Sequence, residues 1–260
     1  MSSEKLITIA ENQRKVYDTG HADGIEKRNE EVAYLNDELE TTLNGGDTGK
    51  KSRYDELWLG ILNGGERTIL TSIFTYWNME YIRPPIKIVA TATSMSSVFS
   101  HNHSLKKVEA QYFDFSQLAK ATKKAEGYYY TFYNCTALEE IEDIGLFPNS
   151  YYTYTFSNCT SLKKIAKITL DEETGFDAAF QKCTSLEEIT IDGTIGQNGF
   201  NVGHSTKLNK ASITSIINAL SSTTSGLTVT LSKTAVNNAF TTDEWNALIN
   251  TKTNWTISLI

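Results

Sequence analysis

The sequence lacks several features that mark broad classes of protein. Its 260 residues include only three cysteines, three prolines and four histidines. An odd number of cysteines cannot form a fully paired disulfide framework. Apolar residues make up 40% of the chain, enough for a real core. No uninterrupted apolar run is long enough to span a bilayer, so no membrane insertion is expected.

Charge and the N-terminal sequence exclude further classes. The net charge is −7, and acidic and basic residues are mixed without a clustered Lys/Arg stripe. A nucleic-acid partner is therefore not expected. The opening MSSEKLITIAENQRK lacks the basic start, apolar run and cleavage site of a secretory signal. We therefore expect a soluble protein that is made in a cytoplasm.

An internal repeat organises the middle of the chain. The segments FYNCTALEEIEDI, FSNCTSLKKIAKI and FQKCTSLEEITI align without gaps at their common positions. A constant spacing of 24 residues runs through four columns: Phe132, Phe156 and Phe180; Cys135, Cys159 and Cys183; Leu138, Leu162 and Leu186; Ile141, Ile165 and Ile189. A fourth, degenerate copy contains Phe99, Leu105 and Val108, with Asn102 in place of the cysteine and an insertion before the next copy.

Repeats of this length cannot bury their apolar residues alone, so they stack. The predicted fold class is α/β: a short leucine-rich-repeat solenoid with parallel strands at each L-x-x-I segment. Phe and Cys are expected to fill the interior. A second inward column is predicted four residues before each Phe, at Met95, Tyr128, Tyr152 and Phe176. That spacing is one helical turn, so a short helix or 3₁₀ segment is expected there.

The two ends are predicted to differ from the repeats. We divide the chain into an N-terminal helical attachment or oligomerisation segment (1–46), a hinge (47–53), an N-terminal cap (54–94), repeats (95–200) and a C-terminal cap (201–260). The N-terminal cap is expected to contain a helix over 54–62. In the C-terminal cap, NKASITSIINALSS and TTDEWNALINTK predict helices, the second N-capped by Thr241 or Thr242. GLTVTLS and NWTISLI predict strands.

The N-terminal segment contains a short heptad pattern at Ile25, Val32 and Leu39, with Leu35 between them. Two interpretations remain open. The residues can form one face of a surface helix that packs on its own domain, or they can form a self-associating, trimeric coiled coil.

The repeat residues resemble the Treponema-type, bacterial-surface-antigen class of leucine-rich repeats, with a consensus near F-x-x-C-x-S-L-x-x-I. This resemblance covers about residues 95–200 and implies ligand or surface binding in general terms. The segments ITIAENQRKVYDTGHADG, YDELW…NGGERT and TVTLSKTAVNNAF…W, with the repeats, resemble tail-associated proteins of phages and prophages of gut Firmicutes. That second resemblance implies a virion or tail-tip component.

Three groups of residues are candidates for chemistry. His101-Asn102-His103 suggests a metal, but no third ligand motif follows, and His21 and His204 are interpreted as exposed or loop histidines. The three cysteines are equivalent by repeat, which indicates packing rather than catalysis. Carboxylate pairs such as Glu139-Glu140 flank Lys163-Lys164 in the neighbouring copy, which predicts alternating charge along the stack. No catalytic, metal or cofactor site is predicted, and the protein is not expected to be an enzyme.

The tyrosine-rich segments YYYTFY and YYTYTF are the strongest binding candidates. With Tyr128 and Tyr152 assigned inward, Tyr129, Tyr133 and Tyr151 are expected to be exposed and to contact a ligand or partner. The alternative is core plus ordinary surface. The function predicted is recognition by a phage tail or baseplate protein, with other virion proteins and a host-surface protein or glycan as partners and a homotrimer as one possible assembly. A bacterial cell-surface adhesin and a purely structural virion protein are the alternatives.

Overall fold

The structure is a computed structural model. It describes Ser72 and residues 74–76, 80–82, 88–89, 94–116, 118, 127–146 and 151–260. The predicted attachment segment 1–46, with Ile25, Val32, Leu35 and Leu39, lies outside the described residues. The predicted hinge 47–53 and the predicted helix over 54–62 lie outside them as well.

The described residues form nine strands and three helices. The strands are β1 (Ile88–Val89), β2 (Lys107–Val108), β3 (Phe113–Asp114), β4 (Glu140–Ile141), β5 (Lys164–Leu170), β6 (Glu188–Gly193), β7 (Asn201–Val202), β8 (Leu227–Leu231) and β9 (Trp255–Leu259). The helices are α1 (Lys210–Ala219), α2 (Lys233–Ala239) and α3 (Thr242–Ile249).

Every strand pairing in the described residues is parallel. The largest sheet has the order β2-β4-β5-β6, and its register aligns Val108, Ile141, Ile165 and Ile189. These are the last positions of the predicted L-x-x-I segments, so parallel strands at those segments are confirmed. Two smaller sheets have the orders β1-β3 and β7-β8-β9. Parallel strands with few helices agree with an α/β fold of the leucine-rich-repeat type.

Phenylalanine rings form the centre of the core. Successive copies stack Phe99 on Phe132, Phe132 on Phe156 and Phe156 on Phe180, with ring centroids 5.1, 5.6 and 5.3 Å apart. All four side chains are at most 1% exposed. We use "rung" for one such copy, named by its phenylalanine. The second predicted inward column is also confirmed, because Met95, Tyr128, Tyr152 and Phe176 are at most 1% exposed.

The turn segment before each Phe was predicted to be a short helix or a 3₁₀ segment, and it is neither an α-helix nor a continuous 3₁₀ helix. Alternate N–H groups bond in different directions. Thr131 N donates to Tyr128 O three residues back, whereas Tyr130 N donates to Thr153 O of the next rung. A helix would close all these bonds within one segment. Because every second N–H bonds to a neighbouring rung, the helical alternative is wrong, and the 3₁₀ alternative is present only as isolated 3₁₀-type turns.

This alternation requires left-handed residues at two positions of each turn segment. Tyr130 and Asn134 have φ of 54° and 62°, and Tyr154 and Asn158 repeat the pattern at 53° and 63°. Non-glycine residues rarely adopt such angles. The hydrogen-bond ladder between rungs compensates for their cost.

The cysteine column joins consecutive rungs. Cys135 Sγ donates to Phe99 O at 3.0 Å, and Cys159 Sγ donates to Phe132 O at 3.0 Å. In the degenerate rung, Asn102 Nδ2 donates in the same way to Phe74 O at 2.5 Å. Asn102 therefore replaces the cysteine as a buried donor to the preceding rung, which explains the substitution in that column.

The outer surface of the largest sheet carries charges of alternating sign. Lys163 Nζ lies 2.6 Å from Glu139 Oε2, and Lys164 Nζ lies 3.4 Å from Glu140 Oε1. Lys107 Nζ lies 3.1 Å from the same Glu140 carboxylate. The predicted alternation of charge is confirmed, and ion pairs link β2 with β4 and β4 with β5.

The C-terminal elements agree closely with the sequence. Helix α1 buries Ile213, Ile216 and Ile217, and Thr241 caps α3 in a capping box with Glu244. The predicted strands are β8 and β9. The sequence reading missed α2 and β7. None of the helices in the described ranges is long and apolar enough to cross a membrane.

Candidate functional site

Four tyrosines from two adjacent rungs form one cluster on the turn segments. Tyr130 and Tyr154 stack with centroids 4.9 Å apart and planes 10° apart. Tyr133 and Tyr129 meet the ring of Tyr130 edge-on, at 4.7 and 4.4 Å. Their side chains are half-buried. We call Tyr129, Tyr130, Tyr133 and Tyr154 the tyrosine platform. Burial and its tyrosine neighbours raise the pKa of Tyr130, so the phenol stays neutral at physiological pH.

Aromatic contact continues from the platform toward the preceding rungs. His101 lies 5.3 Å from Tyr133 and stacks on Tyr76 at 4.6 Å. Its Nδ1 lies 2.8 Å from Ser100 Oγ. Burial, together with the neighbouring His103, lowers the pKa of His101. The imidazole is therefore neutral near pH 7 and extends an uncharged aromatic surface.

The platform tyrosines occupy positions at which the backbone does not require an aromatic ring. The backbone is left-handed at Tyr130 and Tyr154. The equivalent residues Ser97 and Ala178 adopt φ of 58° and 52°, although neither has an aromatic ring. The inward columns behave differently, because every rung keeps a large apolar side chain there. The core therefore fixes the inward residues, whereas the platform rings vary from rung to rung.

The Phe180 rung replaces the aromatic surface with an open polar cleft. Asp177, Ala178 and Gln181 stand where the Phe132 rung has Tyr129, Tyr130 and Tyr133. The cleft has a volume of about 460 Å³. It is lined by Asp177, Ala178, Gln181, Asn198, Gly199, Phe200, Asn201, His204, Thr228 and Thr230. We call it the amide cleft.

Two asparagines of the amide cleft have fixed orientations. Asn198 Oδ1 accepts a hydrogen bond from Thr228 N at 2.8 Å, and Asn201 Oδ1 accepts one from Gly203 N at 2.9 Å. A backbone N–H donates only to the amide oxygen, so this bond fixes which terminal atom of each asparagine is oxygen and which is the NH₂ nitrogen. Neither NH₂ group donates to another described residue. Both are therefore available as oriented donors on an exposed surface.

The predicted binding residues fall partly inside this surface. Tyr129 and Tyr133 lie in the platform, but both are half-buried rather than exposed because they pack against Tyr130. Tyr151 is half-buried as well; its backbone pairs with that of Gly175, and its ring contacts none of the described aromatic residues.

The sequence reading missed Tyr130 and Tyr154. Comparison of the same column in all rungs could have found them, since Ser97 and Ala178 show that the position tolerates small residues. His204 is an exposed turn residue, as the sequence predicts, and it also lines the amide cleft.

The cysteines and the pair His101 and His103 were the other candidates for chemistry. All three thiols are free and buried, and burial raises the pKa of Cys135 and Cys183 to about 12 and that of Cys159 well above its ordinary value. A protonated thiol is a poor nucleophile. The rings of His101 and His103 meet edge-to-face with centroids 6.0 Å apart. Within the described ranges, no three His, Cys, Asp or Glu side chains are grouped to hold a metal ion.

Comparison with known families identifies the repeats. Residues 127–225 match the BspA type leucine-rich repeat region in six copies. The chain contains a BspA-type leucine-rich-repeat region. This repeat region includes the platform and most of the residues that line the amide cleft. This repeat region suggests a surface or recognition protein. No curated protein and no solved structure matches the chain.

Proposed function

We propose that this chain is a non-enzymatic recognition protein that binds its target on the turn segments of a capped leucine-rich-repeat solenoid. The observation that carries the proposal is the tyrosine platform. Exposed edges of stacked tyrosines offer contact area and hydroxyl groups at small cost in conformational entropy, which makes tyrosine a frequent contact residue. The rungs hold the rings in place before binding, so the side chains lose little conformational entropy on association.

The charged surface of the largest sheet is a poorer binding surface than the turn segments. Its lysines and glutamates pair with one another across rungs, for example Lys163 with Glu139 and Lys107 with Glu140. A ligand on that surface would have to break these pairs or leave them buried, which costs free energy. The turn segments carry no comparable set of ion pairs among the described residues.

We further propose that the protein is part of a phage tail or baseplate, made in the bacterial cytoplasm and assembled with other virion proteins. Support comes from the resemblance of the terminal segments to phage tail-associated proteins. Ile25, Val32, Leu35 and Leu39 would join three copies through a coiled coil. The alternatives are a bacterial cell-surface adhesin and a structural virion component, and the tests below distinguish them.

The test of recognition is binding of the labelled full chain to intact cells of a panel of Firmicutes strains. Saturable binding to particular strains, and inhibition of phage adsorption to the same strains, are the expected results. Mass spectrometry of purified phage particles from the encoding strain tests the virion setting. Presence in particles without any cell binding would favour a structural component, and absence from particles with cell-surface labelling would favour an adhesin.

The test of assembly is the solution mass of the full chain by light scattering. A trimer in the wild type that becomes a monomer on Leu35→Asp supports the coiled coil. A wild-type monomer near the chain mass of 29.0 kDa contradicts it.

A further inference from the structure

The tyrosine platform and the amide cleft lie on consecutive rungs of the same face. Tyr154 N donates to Asp177 O at 2.8 Å, and Asn158 N donates to Gln181 O at 2.8 Å. Tyr154 and Ala178 therefore occupy one position in adjacent rungs. Adjacent strands and rungs are separated by about 4.8 Å. A ligand that lies over Tyr154 can thus reach the cleft without leaving the surface.

The change of residue type along this face is abrupt. Ala178 has only a methyl group where Tyr130 and Tyr154 have rings, and Asp177 and Gln181 bring a carboxylate and an amide. The amide cleft is bordered by hydrogen-bonding groups, and the ring of Tyr154 lies one rung away, outside the cleft lining. The cleft volume of about 460 Å³ lies within the range of about 300–1,000 Å³ that is usual for small-ligand sites.

The cleft offers both kinds of hydrogen-bonding partner. Asp177 carries a carboxylate, and Gln181 carries an amide whose Oε1 also accepts a hydrogen bond from Ser157 Oγ at 3.5 Å. Asn198 and Asn201 supply oriented NH₂ donors, and threonine hydroxyls both donate and accept. Hydroxyl groups on a ligand are donors and acceptors at once, so they match a mixed set of this kind. A ligand with only acceptors, such as a phosphate, would not pair with the carboxylate.

The side chains that line the amide cleft do not favour a polyanionic partner. Asp177 and His204 are the only ionisable side chains among the residues that line the amide cleft, and none is Lys or Arg. The platform contains no Lys or Arg side chain either. Binding of single-stranded nucleic acid also uses aromatic stacking, but it requires a positively charged groove. A phosphate polymer would meet the same difficulty.

The geometry points to a neutral glycan as the ligand of this face, with one sugar ring over the exposed surface of Tyr154 and the next sugar in the amide cleft. Pyranose rings have one face of C–H groups and a rim of hydroxyls. The C–H face packs on an aromatic ring, while the rim hydroxyls bond to planar amides and a carboxylate. This inference rests on the proposed recognition function and specifies its ligand.

The experiment is binding of the full chain to an array of neutral oligosaccharides built from hexoses, deoxyhexoses and N-acetylhexosamines, with poly(ribitol phosphate) and heparin on the same array. Positive oligosaccharides are then titrated calorimetrically. Tyr154→Ala and Gln181→Ala are expected to weaken binding at least ten-fold. Tyr154→Ala copies the residue that the Phe180 rung already carries in the same left-handed backbone, so the variant is expected to fold.

Tyr112→Ser is the matched control, because Tyr112 is a half-buried tyrosine that follows β2 and lies outside the platform and the cleft. Its affinity for the glycan is expected to equal that of the wild type. Circular dichroism and the melting temperature of each variant verify folding. Neutral-glycan binding should change little with salt, since no ion pair forms.

Three results would overturn the inference. They are binding only to the anionic polymers, neutral-glycan binding that Tyr154→Ala leaves unchanged, and failure of every neutral oligosaccharide to bind. If cells still bind through the platform while no glycan does, the ligand is a protein and the recognition function stands. If neither cells nor glycans bind, both proposals fail.

Discussion

The rings of Tyr130 and Tyr154 lie face to face across two rungs, with centroids 4.9 Å apart. Both residues are in the left-handed region, at φ of 54° and 53°. The equivalent Ser97 and Ala178 adopt the same backbone with small side chains. The stack is therefore an addition to the repeat and not a requirement of it, which is why the face is a better candidate for function than the core rings beneath it.

The first prediction concerns the stability of platform variants. Tyr130→Ser and Tyr154→Ala each remove one partner of a half-buried aromatic pair, a contact worth about 0.5–1.5 kcal/mol. We expect each to lower the free energy of unfolding by about 1 kcal/mol, measured by urea denaturation. A loss as large as that of a core phenylalanine would show that the platform is structural.

The second prediction concerns the phenylalanine stack. Phe156 is fully buried and stacks on Phe132 and Phe180 at 5.6 and 5.3 Å. Phe156→Ala leaves a cavity between two rungs and should cost about 3–5 kcal/mol of unfolding free energy. Tyr154 lies only two residues before Phe156 but is half-buried, so urea denaturation of Phe156→Ala beside Tyr154→Ala isolates the effect of the core. Equal losses in the two variants would contradict the assignment of inward and outward columns.

The third prediction concerns the cysteines. Burial raises the pKa of Cys135 and Cys183 from 9.0 to about 12, and that of Cys159 well above 9.0. The native thiols should stay protonated and resist iodoacetamide at mildly alkaline pH, whereas all three should react in guanidinium. Intact-mass spectrometry counts the adducts. Rapid modification of the native chain would show that the column is accessible.

The fourth prediction concerns Glu244. Its ion pair with Lys210, together with its hydrogen bond from Thr241 N, lowers the pKa of the carboxyl from 4.5 to about 2. A lowered carboxyl pKa stabilises the fold above the unfolded value, and that stabilisation is lost as the pH falls through the folded value. The difference in unfolding free energy between the wild type and Glu244→Gln should therefore shrink between pH 4.5 and about 2. A difference that is independent of pH would contradict the assignment.

Much of the fold could be predicted because the repeat restricts it strongly. Phe, Cys, Leu and Ile at a constant spacing can be buried together only if successive copies stack in register. Stacking in register makes the strands parallel. It also places Lys163 beside Glu139, because the two residues hold the same position in adjacent copies. The C-terminal helices were found through apolar spacing and through Thr241, whose side chain has a defined capping role.

The turn segments were harder to predict. A spacing of four residues between Tyr128 and Phe132 fits a helical turn, and sequence alone does not show that alternate N–H groups bond to the next rung. For the same reason Tyr130 was not recognised as a surface residue, because its outward direction depends on a left-handed φ. The amide cleft brings Asp177 close to Thr228, which are far apart in sequence, so no local pattern could have revealed it.

The most direct test of the account is equilibrium binding of the full chain to intact Firmicutes cells, measured by flow cytometry for the wild type, Tyr130→Ser/Tyr154→Ala and Tyr112→Ser. We predict saturable binding by the wild type and Tyr112→Ser, and at least ten-fold weaker binding by the double variant at unchanged secondary structure. Equal binding by all three proteins would contradict the claim that the tyrosine platform is the recognition surface.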